Sequence, residues 1–203
     1  QKILEVGCGW GGMAFEIAKQ KKCEVTGISL SKNQIKYCNE KAKELDLDNQ
    51  VKFELIDYRE VKGQYDRIYS IGMFEHVGKK FYSTFFKSIN KLLKEDGIFL
   101  LHTIGVVDNP SPPNKFINKY IFPGGVCPSL SQIITPIEKT GLVVSDSETL
   151  IGHYDKTLES WLKRFLEKKN IVKDLFDEKF VKMWEFYMAS CAAAFKYRDL
   201  VVF

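Results

Sequence analysis

The apolar positions change period along the chain. Ile3-Leu4-Glu5-Val6 is a short run that stops at glycines and reads as a buried strand. Met13, Phe15, Ile17 and Ala18 then open a helical spacing, and Val25-Thr26-Gly27-Ile28 returns to strand. Ile35, Cys38, Ala42 and Leu45 share one face of the next helix, whose start carries the S-x-x-Q capping pattern of Ser31 and Gln34. Residues 51–56 and 65–71 read as the third and fourth strands. Phe81, Phe85, Phe86, Ile89, Leu92 and Leu93 line a helix, and residues 98–101 form a fifth strand. This alternation predicts right-handed βαβ units and a mostly parallel, doubly wound α/β sheet.

The second hundred residues follow another rule. All six prolines fall between Pro110 and Pro136, which predicts an irregular excursion. Leu158, Trp161, Leu162, Phe165 and Leu166 keep the spacing of one helical face. So do Phe180, Met183, Trp184, Tyr187, Met188, Cys191, Ala192 and Phe195. Residues 142–144 and 200–203 would supply the last two strands of a seven-stranded sheet. Segments inserted after the fifth strand and between the last two would sit above the carboxyl ends of the strands, where open α/β sheets bind ligands.

Composition narrows the class. A chain of 203 residues fits one domain and buries a sizeable core without metal or disulfide. Its 45% hydrophobic and 28% charged residues exclude a disordered tail, a collagen-like fibre and a polytopic membrane protein. The net charge of +4 favours an anionic surface and falls far short of a dedicated nucleic-acid binder. Five cysteines without a CxxC pair, and three scattered histidines, give no zinc spacing and point to free thiols in a reducing cytoplasm. Gln1 leads straight into an apolar run and residues 200–203 close on another, so an excised piece of a longer chain is expected.

The candidate chemistry centres on a glycine turn. Gly7, Gly9 and Gly12 satisfy GxGxxG, in which glycines let the backbone approach a ligand at a helix N-terminus. Nicotinamide and S-adenosylmethionine sites share that turn. A nicotinamide site wants an acid at the end of the second strand, where this chain has Ser29-Leu30-Ser31. The run from Glu5 to Gly11 instead reads E-x-G-x-G-x-G. Glu5 can reach toward the positive amino-acid end of S-adenosylmethionine, and Asp57 is placed to accept from an adenine amino group. The plainer alternative is that Glu5 caps backbone and Asp57 forms a turn.

Several blocks, in order, resemble the cyclopropane-fatty-acyl-phospholipid synthase family, including the mycolic acid cyclopropane synthases. They are Glu5-Val6-Gly7-Cys8-Gly9-Trp10-Gly11-Gly12, Ser29-Leu30-Ser31-Lys32-Asn33-Gln34 and Gly72-Met73-Phe74-Glu75-His76-Val77-Gly78. His102-Thr103-Ile104-Gly105, Tyr120-Ile121-Phe122-Pro123-Gly124-Gly125 and Cys191-Ala192-Ala193-Ala194-Phe195 follow. The resemblance implies one Rossmann-like class I methyltransferase domain over 1–203, incomplete at both ends, with substrate-covering insertions at 105–136 and 152–196. It implies transfer of the S-adenosylmethionine methyl carbon to the cis double bond of a phospholipid acyl chain, closing a cyclopropane ring. The resemblance further implies that a bound bicarbonate takes the last proton, held by Glu75, His102 and Tyr154 with backbone near Ile104. A further cysteine and an aromatic cofactor contact upstream of the glycine turn lie outside these residues.

The family also places a cysteine at Cys191, although the apolar stripe around it favours a packed thiol. The implied cofactor contacts are Glu5, Gly7, Cys8, Gly9, Trp10, Gly11, Ser29, Leu30, Gln34, Asp57, Tyr58, Arg59 and Ile71. His76 is expected to be structural. Phe74, Tyr58, Tyr82, Tyr120 and Phe122 are candidate faces for a carbocation. The expected partner is an anionic bilayer met transiently at its inner face, with a homodimer plausible and no nucleic acid. A small-molecule N-methyltransferase and a non-catalytic cofactor-binding fragment are the alternatives.

Overall fold

The computed structural model describes residues 1–107 and 114–203; Pro110, Pro112 and Pro113 of the expected excursion lie outside the described residues. The chain divides into two compact units, Gln1–Thr103 with Ile133–Val144, and Ile104–Gln132 with Ser145–Phe203.

The first unit opens β1 (Lys2–Val6), α1 (Gly12–Gln20), β2 (Glu24–Ser29), α2 (Lys32–Glu44) and β3 (Val51–Leu55). β4 (Tyr65–Ile71), α3 (Tyr82–Leu92) and β5 (Leu93–His102) follow. All strand pairs are parallel, in the order β3-β2-β1-β4-β5. The order reverses direction at β1 and β4, the switch point at which such sheets bind ligands. Phe15, Ala18, Val25, Cys38, Phe53 and Tyr69 form one buried cluster. Phe85 and Phe86 of α3 are fully buried, each contributing on the order of 2–3 kcal/mol of burial. Asn39 of α2 reaches β3 with both ends of its amide, donating to the Phe53 carbonyl at 2.9 Å and accepting from the Phe53 N–H at 3.2 Å.

In the second unit β6 (Ile104–Val106) pairs antiparallel with β7 (Leu200–Val202). α6 (Tyr154–Glu167) packs on α8 (Glu178–Lys196), with α7 (Lys169–Leu175) between them in sequence. Leu158, Ala192, Phe195 and Val202 make its core, flanked by Tyr154 and Cys191. α4 (Lys115–Tyr120) starts at Asn114, whose Oδ1 accepts from the Phe116 and Ile117 N–H groups at 2.9 and 3.2 Å. That cap satisfies two of the N–H groups a helix start leaves open.

The structure corrects three expectations. Among the described residues the sheet has five parallel strands, not seven, because β7 pairs with β6 as a separate two-stranded ribbon. Residues 142–144 form no strand: Val143 is 87% exposed, and a strand there would have no face to bury. The proline-rich stretch is not irregular throughout. It holds α4 and α5 (Leu130–Glu138), where Pro136 lies inside the helix at the cost of one backbone donor.

Candidate functional site

The glycine turn follows β1 because three of its residues take positive φ: Gly7 at 90°, Gly9 at 53° and Gly11 at 80°. A Cβ on Gly7 would also come within 2.6 Å of the Met73 side chain. Gly7 and Cys8 N–H groups donate to the Ile28 carbonyl at 3.1 and 2.9 Å, which ties the turn to the end of β2. The Cys8 and Cys38 thiols reach the Gly9 carbonyl from below at 3.8 and 3.5 Å.

A cleft of ≈ 430 Å³ opens at the carboxyl ends of these strands. Val6, Gly7, Ile28, Ser29 and Leu30 line one part of it, and Ile56, Asp57, Tyr58 and Arg59 another. Met73, His76, Val77 and Phe81 complete it. Of the sequence-predicted cofactor residues, Gly7, Ser29, Leu30, Asp57, Tyr58 and Arg59 are brought together here. Gly9 and Gly11 shape the turn without lining the cleft. Trp10 is exposed and packs edge-on against Tyr37 at 5.3 Å. Ile71 ends β4 as the register partner of His102.

Gln34 does not close the expected capping box. Ser31 Oγ accepts from the Gln34 N–H at 3.4 Å, but the Gln34 Oε1 accepts from the Ser29 hydroxyl at 2.7 Å instead of capping Ser31. The Ser31 N–H is satisfied by Ser29 Oγ at 3.1 Å. Gln34 thereby braces a residue that lines the cleft.

The two acids of the region differ in surroundings. Glu5 is buried under the turn, and loss of solvent pushes its carboxyl up to about 8. Tyr69 beside it eases this a little, but neither the Tyr69 hydroxyl nor Glu5 Oε2 completes a hydrogen bond. Burial also pushes the Cys8 thiol up to about 12 and the Cys38 thiol up to about 11. Asp57 moves the other way. Arg59 grips it through Nε and Nη2, both at 2.8 Å, and holds its carboxyl below the usual range.

Glu75 is buried in the 3-10 turn Phe74–His76 that follows β4. His102 ends β5, and its carbonyl accepts from the Gly72 N–H at 3.0 Å. The His102 Nδ1 is buried without a hydrogen-bond partner in the protein. Such an atom fits a site meant for a small polar ligand, so the residues present are compatible with a bound bicarbonate. In the second unit Tyr154 opens α6 and packs on Phe195 at 4.9 Å. Tyr187 lies near Tyr154 and Cys191, and burial, then these two neighbours, pushes it up to about 12. The Cys191 thiol is pushed up to about 11 by burial.

His76 is a correction: it lines the cleft rather than serving only as framework. The 3-10 turn directs consecutive residues to different sides, so Glu75 is buried while His76 faces out. Phe74 and Tyr82 are a second correction. They stack on each other at 4.3 Å in the core, where packing occupies faces expected to be open to a cation. Met73, Val77 and Phe81 were missed because an apolar side chain carries no chemical signature of its own.

Dinucleotide-binding sheets share this strand order and glycine turn; the solved structures on which the chain superposes make the fold that of the class I S-adenosylmethionine-dependent methyltransferases. A family model described as "Mycolic acid cyclopropane synthetase" matches residues 1–203. The chain belongs to that family. It is 42% identical over 199 residues to cyclopropane-fatty-acyl-phospholipid synthase of Escherichia coli (strain K12), covering 98% of this chain and 51% of the relative. The chain thus spans about half the length of that relative. Among solved structures, cyclopropane synthase MmaA2 from Mycobacterium tuberculosis superposes with a TM-score of 0.92 at 30% identity, over 99% of this chain and 75% of that one. Mycolic acid cyclopropane synthase CmaA1 complexed with SAH and CTAB gives a TM-score of 0.91 at 30% identity, with the same two coverages, 99% and 75%.

Proposed function

We propose that the protein containing this chain transfers the methyl(ene) carbon of S-adenosylmethionine to the cis double bond of an unsaturated phospholipid acyl chain, forming a cyclopropane ring. The observation that carries the cofactor part is the cleft, where Gly7, Ser29-Leu30 and Asp57-Tyr58-Arg59 meet. The lipid part is supported by family membership and by the 42% identity to the Escherichia coli synthase. When bound, S-adenosylmethionine supplies an electrophilic carbon and bicarbonate supplies a base.

The chain's own residues supply the rest. Gly7 would give the cofactor close approach to backbone, Asp57 would accept from the adenine amino group, and Glu5 would balance the cofactor's ammonium. An alkene has no proton for a base to remove, so its attack depends on positioning in a dry pocket. Glu75 and His102 would hold the bicarbonate, Glu75 by accepting from its hydroxyl and His102 by donating to an oxygen, with Tyr154 the further donor that the family resemblance implies. Cys191 packs beside Tyr154 with its thiol protonated. The protein meets an anionic bilayer transiently at the inner face; no helix among the described residues is long and apolar enough to cross one.

The deciding experiment incubates the complete protein with S-adenosylmethionine and unsaturated phospholipid vesicles. Ring formation adds about 14 mass units, one CH₂, and removes the double bond. A lipid of unchanged mass, with methyl transfer to an amine instead, would replace this reading by the N-methyltransferase alternative.

A further inference from the structure

Resting on the cofactor reading above, we propose that Arg59 is the positioning residue that makes Asp57 selective for a purine bearing an amino group. Three donors of Arg59 converge on one carboxylate. Its backbone N–H and Nε donate to Asp57 Oδ1 at 2.9 and 2.8 Å, and its Nη2 donates to Oδ2 at 2.8 Å. An ionised carboxylate offers about four acceptor positions, two on each oxygen. Arg59 fills both on Oδ1 and one on Oδ2, which leaves a single position on Oδ2.

Both residues line the cleft, and a purine amino group entering it would take the open position on Oδ2. One open acceptor suits one N–H of an adenine amino group. A 6-oxo purine presents an acceptor there and would face a fixed negative charge. Asp57 could not hold this state alone, because a carboxylate turns about its own bond and takes protons or water. The planar guanidinium fork fixes both its plane and its ionisation, which a lysine ammonium does not.

Arg59 is itself supported. Its guanidinium carbon lies 5.9 Å from the centre of the Tyr58 ring, and Tyr58 packs edge-on against the buried Phe85 at 5.3 Å. The core of α3 thereby steadies Tyr58, Tyr58 steadies Arg59, and Arg59 orients Asp57. An ordinary surface ion pair would have little effect. This pair is bidentate, carries a third bond from the backbone, and has an Asp57 side chain only 16% exposed.

The test is calorimetric titration of the complete protein with S-adenosylhomocysteine and with S-inosylhomocysteine. The unaltered protein should prefer the adenosyl form by roughly tenfold or more. Arg59→Ala should weaken adenosyl binding by roughly tenfold and bring the preference close to one, with the fold retained as read by circular dichroism. Arg59→Lys should recover part of the affinity but not the preference. Full retention of both in either variant would overturn the proposal, as would tighter adenosyl binding in Arg59→Ala, which would make the arginine a competitor. Unaltered protein that binds both forms equally would overturn it while leaving the cofactor reading intact. Unaltered protein that binds neither would overturn the cofactor reading and this proposal with it.

Discussion

Glu5 and Asp57 are both carboxylates at the mouths of parallel strands, yet their regions treat them in opposite ways. Under the glycine turn, Glu5 sits among Cys8, Cys38 and Tyr69, with no cation to offset the loss of water. Past β3, Asp57 sits at the open cleft with a guanidinium on both oxygens. Desolvation alone keeps an acid neutral, whereas a fixed cation keeps it charged. Asp57 is therefore held in its charged form before any ligand arrives, whereas burial favours the neutral form of Glu5 until a cation joins it or the pH rises past about 8.

The largest effect on this contrast should come from the turn that Glu5 supports. Gly7→Val combines a φ of 90° with a contact to Met73 at 2.6 Å. It should cost roughly 2–4 kcal/mol of stability and abolish S-adenosylhomocysteine binding, as read by chemical denaturation and calorimetry. At Gly9 a Cβ meets nothing within 4 Å, so Gly9→Ala should cost only about 1–2 kcal/mol of backbone strain.

Next comes chemistry without cofactor loss. Glu75→Gln should leave S-adenosylhomocysteine affinity unchanged and lower kcat by roughly 10²-fold or more. An undiminished rate would remove Glu75 from the reaction.

The pH dependence sharpens the comparison directly. The Glu5 carboxyl rises from an ordinary 4.5 to about 8 in the folded protein. Between those values the folded state holds a proton that the unfolded state has lost, so stability falls as pH rises through this window. Its contribution is complete below the lower value and gone above the upper one. Glu5→Gln should flatten that slope, which amounts to a few kcal/mol at most over roughly three pH units. Cofactor binding, by drawing out the charged form, should release a proton near neutral pH, seen as a dependence of binding heat on buffer ionisation. Asp57 has a lowered value, so its contribution is present above 3.8 and lost only as pH falls through its folded value. Asp57→Asn should leave the slope near neutrality untouched.

The smallest effect is expected in the second unit. Cys191 is half-buried with its thiol pushed up to about 11, so it is no thiolate at neutral pH. Cys191→Ala should cost about 1 kcal/mol and change kcat by less than about threefold. A large loss of kcat would make it a participant in the chemistry.

The first unit was legible in the sequence because, apart from the β1–β4 pair at the switch point, its strands pair with their neighbours in a repeating βαβ order. Ile3, Val25 and Val51 pair in register, and residues of α1 and α2 pack with them in one buried cluster. The second unit was less so. The α6 and α8 stripes were readable, but α7 has no stripe of its own, and α4 depends on the single cap at Asn114. Residues 142–144 have the composition of a strand and lack a partner, which a local pattern does not record.

The sequence by itself determined the glycine turn, the acids at Glu5 and Asp57, the alternation that builds a parallel sheet, and the blocks that mark the family. Those are local or periodic features, set by backbone freedom and by which faces must be buried. Only the tertiary structure decided that burial favours the neutral form of Glu5 while Arg59 favours the charged form of Asp57, that His76 faces the cleft while Phe74 fills the core, and that Gln34 braces Ser29. Each of those depends on atoms brought close from elsewhere in the chain, since burial and charge partners exist only once the strands and helices have packed.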